Sequence, residues 1–69
     1  NQMKVKIKTY NGELSYLTPE KEYEVIEVAG DLFIICSDKH RNIICTFNDS
    51  AHLNGGSWEI VTESRTSHI

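Results

Sequence analysis

Cys36, Cys45, His40 and His52 are the residues in this chain with the strongest intrinsic chemistry. Thiolate and imidazole are zinc ligands. A cysteine beside a histidine is also an activated nucleophile once a third group orients the base. The spacing supports neither use. There is no Cys-x-x-Cys and no paired His, and His40 falls at a hairpin tip while both cysteines face a core. Cys36 and His40 are only four residues apart, but the strand points them differently. With a turn over 39–42, Asp38 pairs with Ile43, and counting back sets Cys36 opposite Cys45 on one face. A disulfide is geometrically conceivable there. The expected state is two reduced thiols packed as small hydrophobes, as suits a chain with no visible secretory leader. No metal and no cofactor is expected.

Two surface patterns remain. Lys4, Lys6 and Lys8 form a stripe on one strand face, able to follow a phosphate backbone while Tyr10 or Tyr16 stacks on a base. The competing reading is a solvated face opposite Glu22 and Glu24, whose charge cancels much of the field. Tyr10 and Tyr16 lie on a long loop with acidic Glu13 between them. Exposed aromatics anchor protein interfaces, and that trio suits a polypeptide better than a phosphate backbone. Phe33 and Trp58 read individually as core. The carboxylates are scattered over turns and strand exteriors, and Gly55-Gly56 is a lone turn with no phosphate-cradling pattern. The expectation is a non-catalytic chain.

Composition bounds the answer. Sixty-nine residues make one domain, of a size that buries only about 60% of its unfolded surface. Apolar residues make up 39%, rich in β-formers, and charged residues 25% with net charge −3. A nucleic-acid binder more often shows a basic excess. No apolar run approaches the 18 or so residues of a membrane span, so a cytoplasmic protein without a membrane partner is expected.

The elements that must position these residues are strands. Met3 to Tyr10 alternates, with Met3, Val5 and Ile7 on one face and the lysines on the other. Asn11-Gly12 is a turn signal, and Pro19 presets a second turn. Further strands are expected near 22–28, 32–37, 43–47 and 57–62. The second should bend and bury both sides near Ile26 and Val28; the third, apolar on both faces, should be central. A helical turn is expected around Ser50 to Leu53. The expected core is Val5, Ile7, Tyr23, Val25, Ile34 and Phe47. Residues 3–62 form the domain, and 63–69 a frayed tail. Five short strands with small turns predict an all-β, five-stranded barrel.

The stretch Asn11 to Glu27, NGELSYLTPEKEYEVIE, resembles the long loop and second strand of SH3 domains. Its Leu-Thr-x-x-Lys-x-Tyr-x-Val element, Leu17 to Val25, is similar to small bacterial and phage proteins of the SH3-like barrel type. The resemblance covers about a quarter of the chain at motif level and implies a small SH3-like barrel. It does not extend to the proline-peptide groove of SH3 domains. Tyr10 could fill one groove position, but the third strand opens Leu32-Phe33 without tryptophan, and residues 48–56 hold neither Pro nor Tyr.

The reading is therefore a non-catalytic protein-binding accessory module of bacterial or phage type, using Tyr10, Glu13 and Tyr16 with the loops 10–17 and 48–56. The alternatives are a nucleic-acid-binding barrel using Lys4, Lys6 and Lys8, and an oligomeric structural unit or pore-type enzyme.

Overall fold

The computed structural model describes residues 3–61; Thr62 and the 63–69 tail lie outside the described residues. The chain is all-β. Among the described residues six strands follow in order: β1 (Lys4–Thr9), β2 (Tyr23–Glu24), β3 (Glu27–Ala29), β4 (Leu32–Cys36), β5 (Asn42–Thr46) and β6 (Ser57–Val61). One 3-10 turn, Ala51–Leu53, precedes β6, where the helical turn was expected. The ladders divide into two antiparallel sheets of three strands, ordered β2-β1-β6 and β3-β4-β5, and not one continuous ring.

The alternation of β1 holds. Val5 and Ile7 are buried, and Lys4, Lys6 and Lys8 point outward. The expected second strand is two strands in two sheets. The Val25 N–H donates to the Met3 carbonyl at 2.8 Å, and the next N–H, of Ile26, donates to Ile34 at 2.7 Å. Consecutive amides bonded to different sheets force a bend between them. Burial on both sides near the strand end is therefore corrected: Ile26, at the corner, is 56% exposed, and Val28, in edge strand β3 whose three residues are all exposed, is 46%.

β4 is central in its sheet, as expected, but it has one buried face. Phe33 and Ile35 point into the core, while Leu32 and Cys36 are exposed and Ile34 is half-buried. Ile34 is thus not core. A continuous apolar run carries no parity of its own; the pairing Phe33↔Cys45 and Ile35↔Ile43 sets it.

The hairpin register also differs from expectation. His40 takes the left-handed region at φ 64°, and its N–H donates to the Ser37 carbonyl at 2.9 Å. That makes a bulged loop of residues 38–40, closed by the Ser37 N–H on the Arg41 carbonyl. Cys36 consequently pairs with Asn42, and Cys45 with Phe33. The two cysteines sit on opposite faces, three residues apart along the ladder. At about 3.4 Å per residue that separation excludes a bridge without backbone movement. Both are free, Cys36 exposed and Cys45 buried.

The core lies between the sheets: Val5, Ile7, Leu17, Tyr23, Phe33, Ile35, Cys45, Leu53 and Trp58, with Val25 and Phe47 partly buried against it. Trp58 is the hub. Its ring meets Tyr23 edge-on at 6.0 Å and Phe33 edge-on at 5.5 Å, so one indole joins a residue of each sheet. Its Nε1–H donates to the hydroxyl of fully buried Ser50 at 3.3 Å.

Gly56 lets β6 approach β1. A Cβ there would overlap the Thr9 carbonyl oxygen and lie 2.6 Å from the Thr9 carbonyl carbon. Gly56→Ala should therefore cost about 3 kcal/mol, the upper end of overpacking penalties, and lower Tm by roughly 10 °C or more. Gly30→Ala meets nothing within 4 Å, so only its positive φ of 62° opposes it, at about 1–2 kcal/mol. Equal thermal melts for the two variants would refute the close approach.

Burial pushes the Cys45 thiol up to about 12. A disulfide-exchange reagent at neutral pH should titrate one thiol per folded chain, Cys36, and the second only after unfolding. Two fast thiols in the native protein would place Cys45 at the surface.

Candidate binding surface

The loop from Tyr10 to Glu22 is the longest connection among the described residues. It is tied down at three places. At its start the Asn11 N–H donates to the Leu53 carbonyl at 3.1 Å. The side chains of Asn11 and Asn54 each donate to the other's backbone carbonyl, at 3.1 and 2.6 Å. In the middle, the Tyr16 hydroxyl and His52 Nδ1 share a 2.7 Å hydrogen bond, with the rings edge-on. These bonds join the loop to the segment carrying the 3-10 turn, so the loops 10–17 and 48–56 named from sequence are in contact.

The third tie is the turn Thr18–Lys21. The Lys21 N–H donates to the Thr18 carbonyl at 3.3 Å, with Pro19 first and Glu20 second at the centre. Glu20 has φ 73°, the positive value that a type II turn needs at that position. Asp38, in the β4–β5 loop, grips this turn. One carboxylate oxygen accepts from the Thr18 hydroxyl at 2.6 Å. The other accepts from Lys21 Nζ at 2.7 Å and from the Tyr23 hydroxyl at 3.0 Å. The Tyr23 oxygen in turn accepts the Thr18 N–H at 2.7 Å, and the Asp38 N–H donates to the Tyr16 carbonyl at 2.9 Å. Lys21 Nζ also lies 5.1 Å from the Tyr23 ring centroid.

The site residues expected from sequence are distributed unevenly. Glu13 and Tyr16 line one small pocket of about 90 Å³ with Leu14, Ala51 and His52. Tyr16 is half-buried and packs against the core. Tyr10 is 44% exposed and does not line that pocket. Tyr16 also lines a groove of about 480 Å³, together with Ser37, Lys39, Arg41 and Ile43. Sequence reasoning passed over this groove and the Asp38 grip. The available signal was Lys39-His40-Arg41, a concentrated basic run in an acidic chain.

The lysine stripe has acidic neighbours. Lys4 pairs in register with Glu24 and Lys6 with Glu59, the latter with a 4.0 Å ion pair; Lys8 is exposed. Among the described residues no three His, Cys, Asp or Glu side chains gather as metal ligands, and no helix is long and apolar enough to cross a membrane. Comparison with protein-family models, curated proteins and solved structures finds no match to the chain.

The hydrogen bond from Lys21, and then that from Thr18, hold the Asp38 carboxyl below its ordinary value of 3.8. The same Asp38 bond raises Lys21 above 10.5, and burial raises Tyr23. A carboxyl depressed in the folded state contributes stability above its unfolded pKa and loses it as pH falls through the folded value. Lys21 contributes below its ordinary value and loses that as pH rises past its raised one. The grip is therefore complete from mildly acidic to mildly basic pH. Its carboxylate side chain keeps 25% of its surface in water, so the contribution is at the low end for charged hydrogen bonds. Asp38→Asn should cost about 1 kcal/mol at pH 7. It should also flatten the loss of stability as pH falls below the ordinary carboxyl value of 3.8. Urea melts across that range give the answer; an acid limb unchanged in the variant would mean that other carboxyls carry it.

Proposed function

We propose that this chain is a non-catalytic, cytoplasmic, protein-binding accessory module of bacterial or phage type, built as a small SH3-like barrel. The fold reading is supported by the order of elements: strand, long loop, turn, two short strands that pass from one sheet to the other, two hairpin connections, a 3-10 turn and a last strand. Exposed, unpaired Cys36 suits a reducing compartment. One observation carries the binding reading. The long loop is fastened at both ends and in its middle, yet it presents Tyr10 to solvent and Tyr16 at the wall between two concavities. A rigid aromatic on a pinned loop loses little entropy on binding, and such residues are what protein interfaces use as anchors.

The lysine face has less free charge to offer a phosphate backbone, because Lys4 and Lys6 already face carboxylates. The two surfaces separate cleanly by mutation. The immobilised protein, wild type or variant, is exposed to nuclease-treated extract of its source cells, and retained proteins are identified. Tyr10→Ala should leave the fold intact and weaken retention of the specific partner about tenfold or more, the scale of an interface anchor. Replacing Lys4, Lys6 and Lys8 by Gln should leave retention unchanged. Loss of all retention on nuclease treatment, or loss with the lysine variant alone, would overturn the protein-binding reading in favour of nucleic acid.

A further inference from the structure

We propose that the groove between Tyr16 and the β4–β5 hairpin is a carboxylate-recognition site: it takes an Asp or Glu side chain of an acidic polypeptide segment, with a neighbouring apolar side chain against Tyr16 and Ile43. This rests on the protein-binding reading and names the chemistry of its partner.

The charge around the groove is the first support. The chain holds 10 acidic residues against 7 Lys and Arg, yet Lys39 and Arg41 both line this one concavity. Neither forms an ion pair among the described residues; the pairs there are Lys6–Glu59 and Lys21–Asp38. Asp38 is the next residue along from Lys39, but both its oxygens are taken by Thr18, Lys21 and Tyr23. The carboxylate adjacent in sequence is therefore committed to other donors, Lys21 among them, and not to Lys39 or Arg41. An Arg guanidinium and a Lys ammonium together match a carboxylate in charge and donor number.

Ser37 is the second and independent support. It lines the groove and is only 5% exposed. Its Oγ accepts the Lys39 N–H at 3.3 Å, but its own hydroxyl proton has no acceptor among the described residues. A buried donor left unpaired is costly, and buried polar groups are nearly always satisfied. A ligand oxygen at the groove floor would satisfy it. Tyr16 adds the apolar wall. Its hydroxyl is already engaged by His52, so the ring rather than the oxygen faces a ligand. Ile43 supplies the other apolar surface. A volume of about 480 Å³ exceeds what one carboxylate fills, and it falls within the range of sites that take small molecules.

The test is an NMR titration of the whole chain with a blocked peptide of alternating Glu and Leu, N-acetylated and C-amidated, beside its Gln-for-Glu twin. The Glu peptide should shift the resonances of Tyr16, Ser37, Lys39, Arg41 and Ile43, and the twin should not. Lys39→Gln and Arg41→Gln change exposed side chains, so folding persists; each should weaken binding about tenfold, and added salt should weaken it further. Ser37→Ala should weaken it with the spectrum otherwise preserved. Three outcomes overturn the proposal: no shifts in these residues, equal shifts with the Gln twin, or stronger shifts there with a single-stranded thymidine oligonucleotide. The titration decides the groove by itself, and the capture experiment decides the protein-binding reading, so the two fail separately.

Discussion

Val25 and Ile26 are neighbours in the chain, but their amide protons go to different sheets, one to Met3 and the next to Ile34. Everything else in the domain follows from that corner. A sheet with one apolar face must bury that face against another element. The bend turns one chain pass into an edge strand of each, so the faces carrying Val5, Ile7 and Tyr23 and those carrying Phe33, Ile35 and Cys45 meet in one core. Trp58 then fills the space between them, touching Tyr23 from one sheet and Phe33 from the other. Trp58 also reaches across the divide through its backbone, donating its N–H to the Phe47 carbonyl at 2.9 Å. The domain is thus joined at two corners, one covalent and one hydrogen-bonded.

The turn before the corner has a separate fastening. Tyr23 places its ring in the core and its hydroxyl between the Thr18 amide and the Asp38 carboxylate. That single oxygen links burial to the polar network at the surface. It also explains why Asp38 needs both Lys21 and Thr18: three donors converge on two oxygens, and the resulting charge balance is local. The long loop enters this network through the Tyr16 carbonyl, so its position depends on the hairpin loop of residues 38–40.

The sequence was informative wherever period and turn chemistry acted locally. The alternation of β1, the Pro19 turn, the 3-10 turn and the burial of Val5, Ile7 and Tyr23 all come from such signals. It was silent where a long-range pairing decides. The parity of Leu32 to Cys36 depends on its partners, because every residue in that run is apolar. The register of the β4–β5 hairpin turned on whether His40 would adopt a positive φ, which nothing in a polar turn announces. The groove was illegible for the same reason. Tyr16 and Ser37 are far apart in sequence, and the loop and the hairpin that carry them are joined by long-range bonds to Asp38.

Tyr16 shows why a domain this small sets binding against stability. The loop that presents it also supplies Leu17 to the core and packs Leu14 against it, so the loop is structure as much as surface. Removing the Tyr16 ring would open a wall of the groove, break the His52 bond and expose core in one step. Tyr10, at the loop's exposed end, carries no such structural duty. The same division runs through the charged residues. Lys21 and Asp38 are committed to holding the loop, while Lys39 and Arg41, one and three residues further on, pair with no carboxylate among the described residues. In a chain with so few cations, placing the committed pair and the free pair around one hairpin lets the fastening of the loop and the charge of the groove share a single short turn.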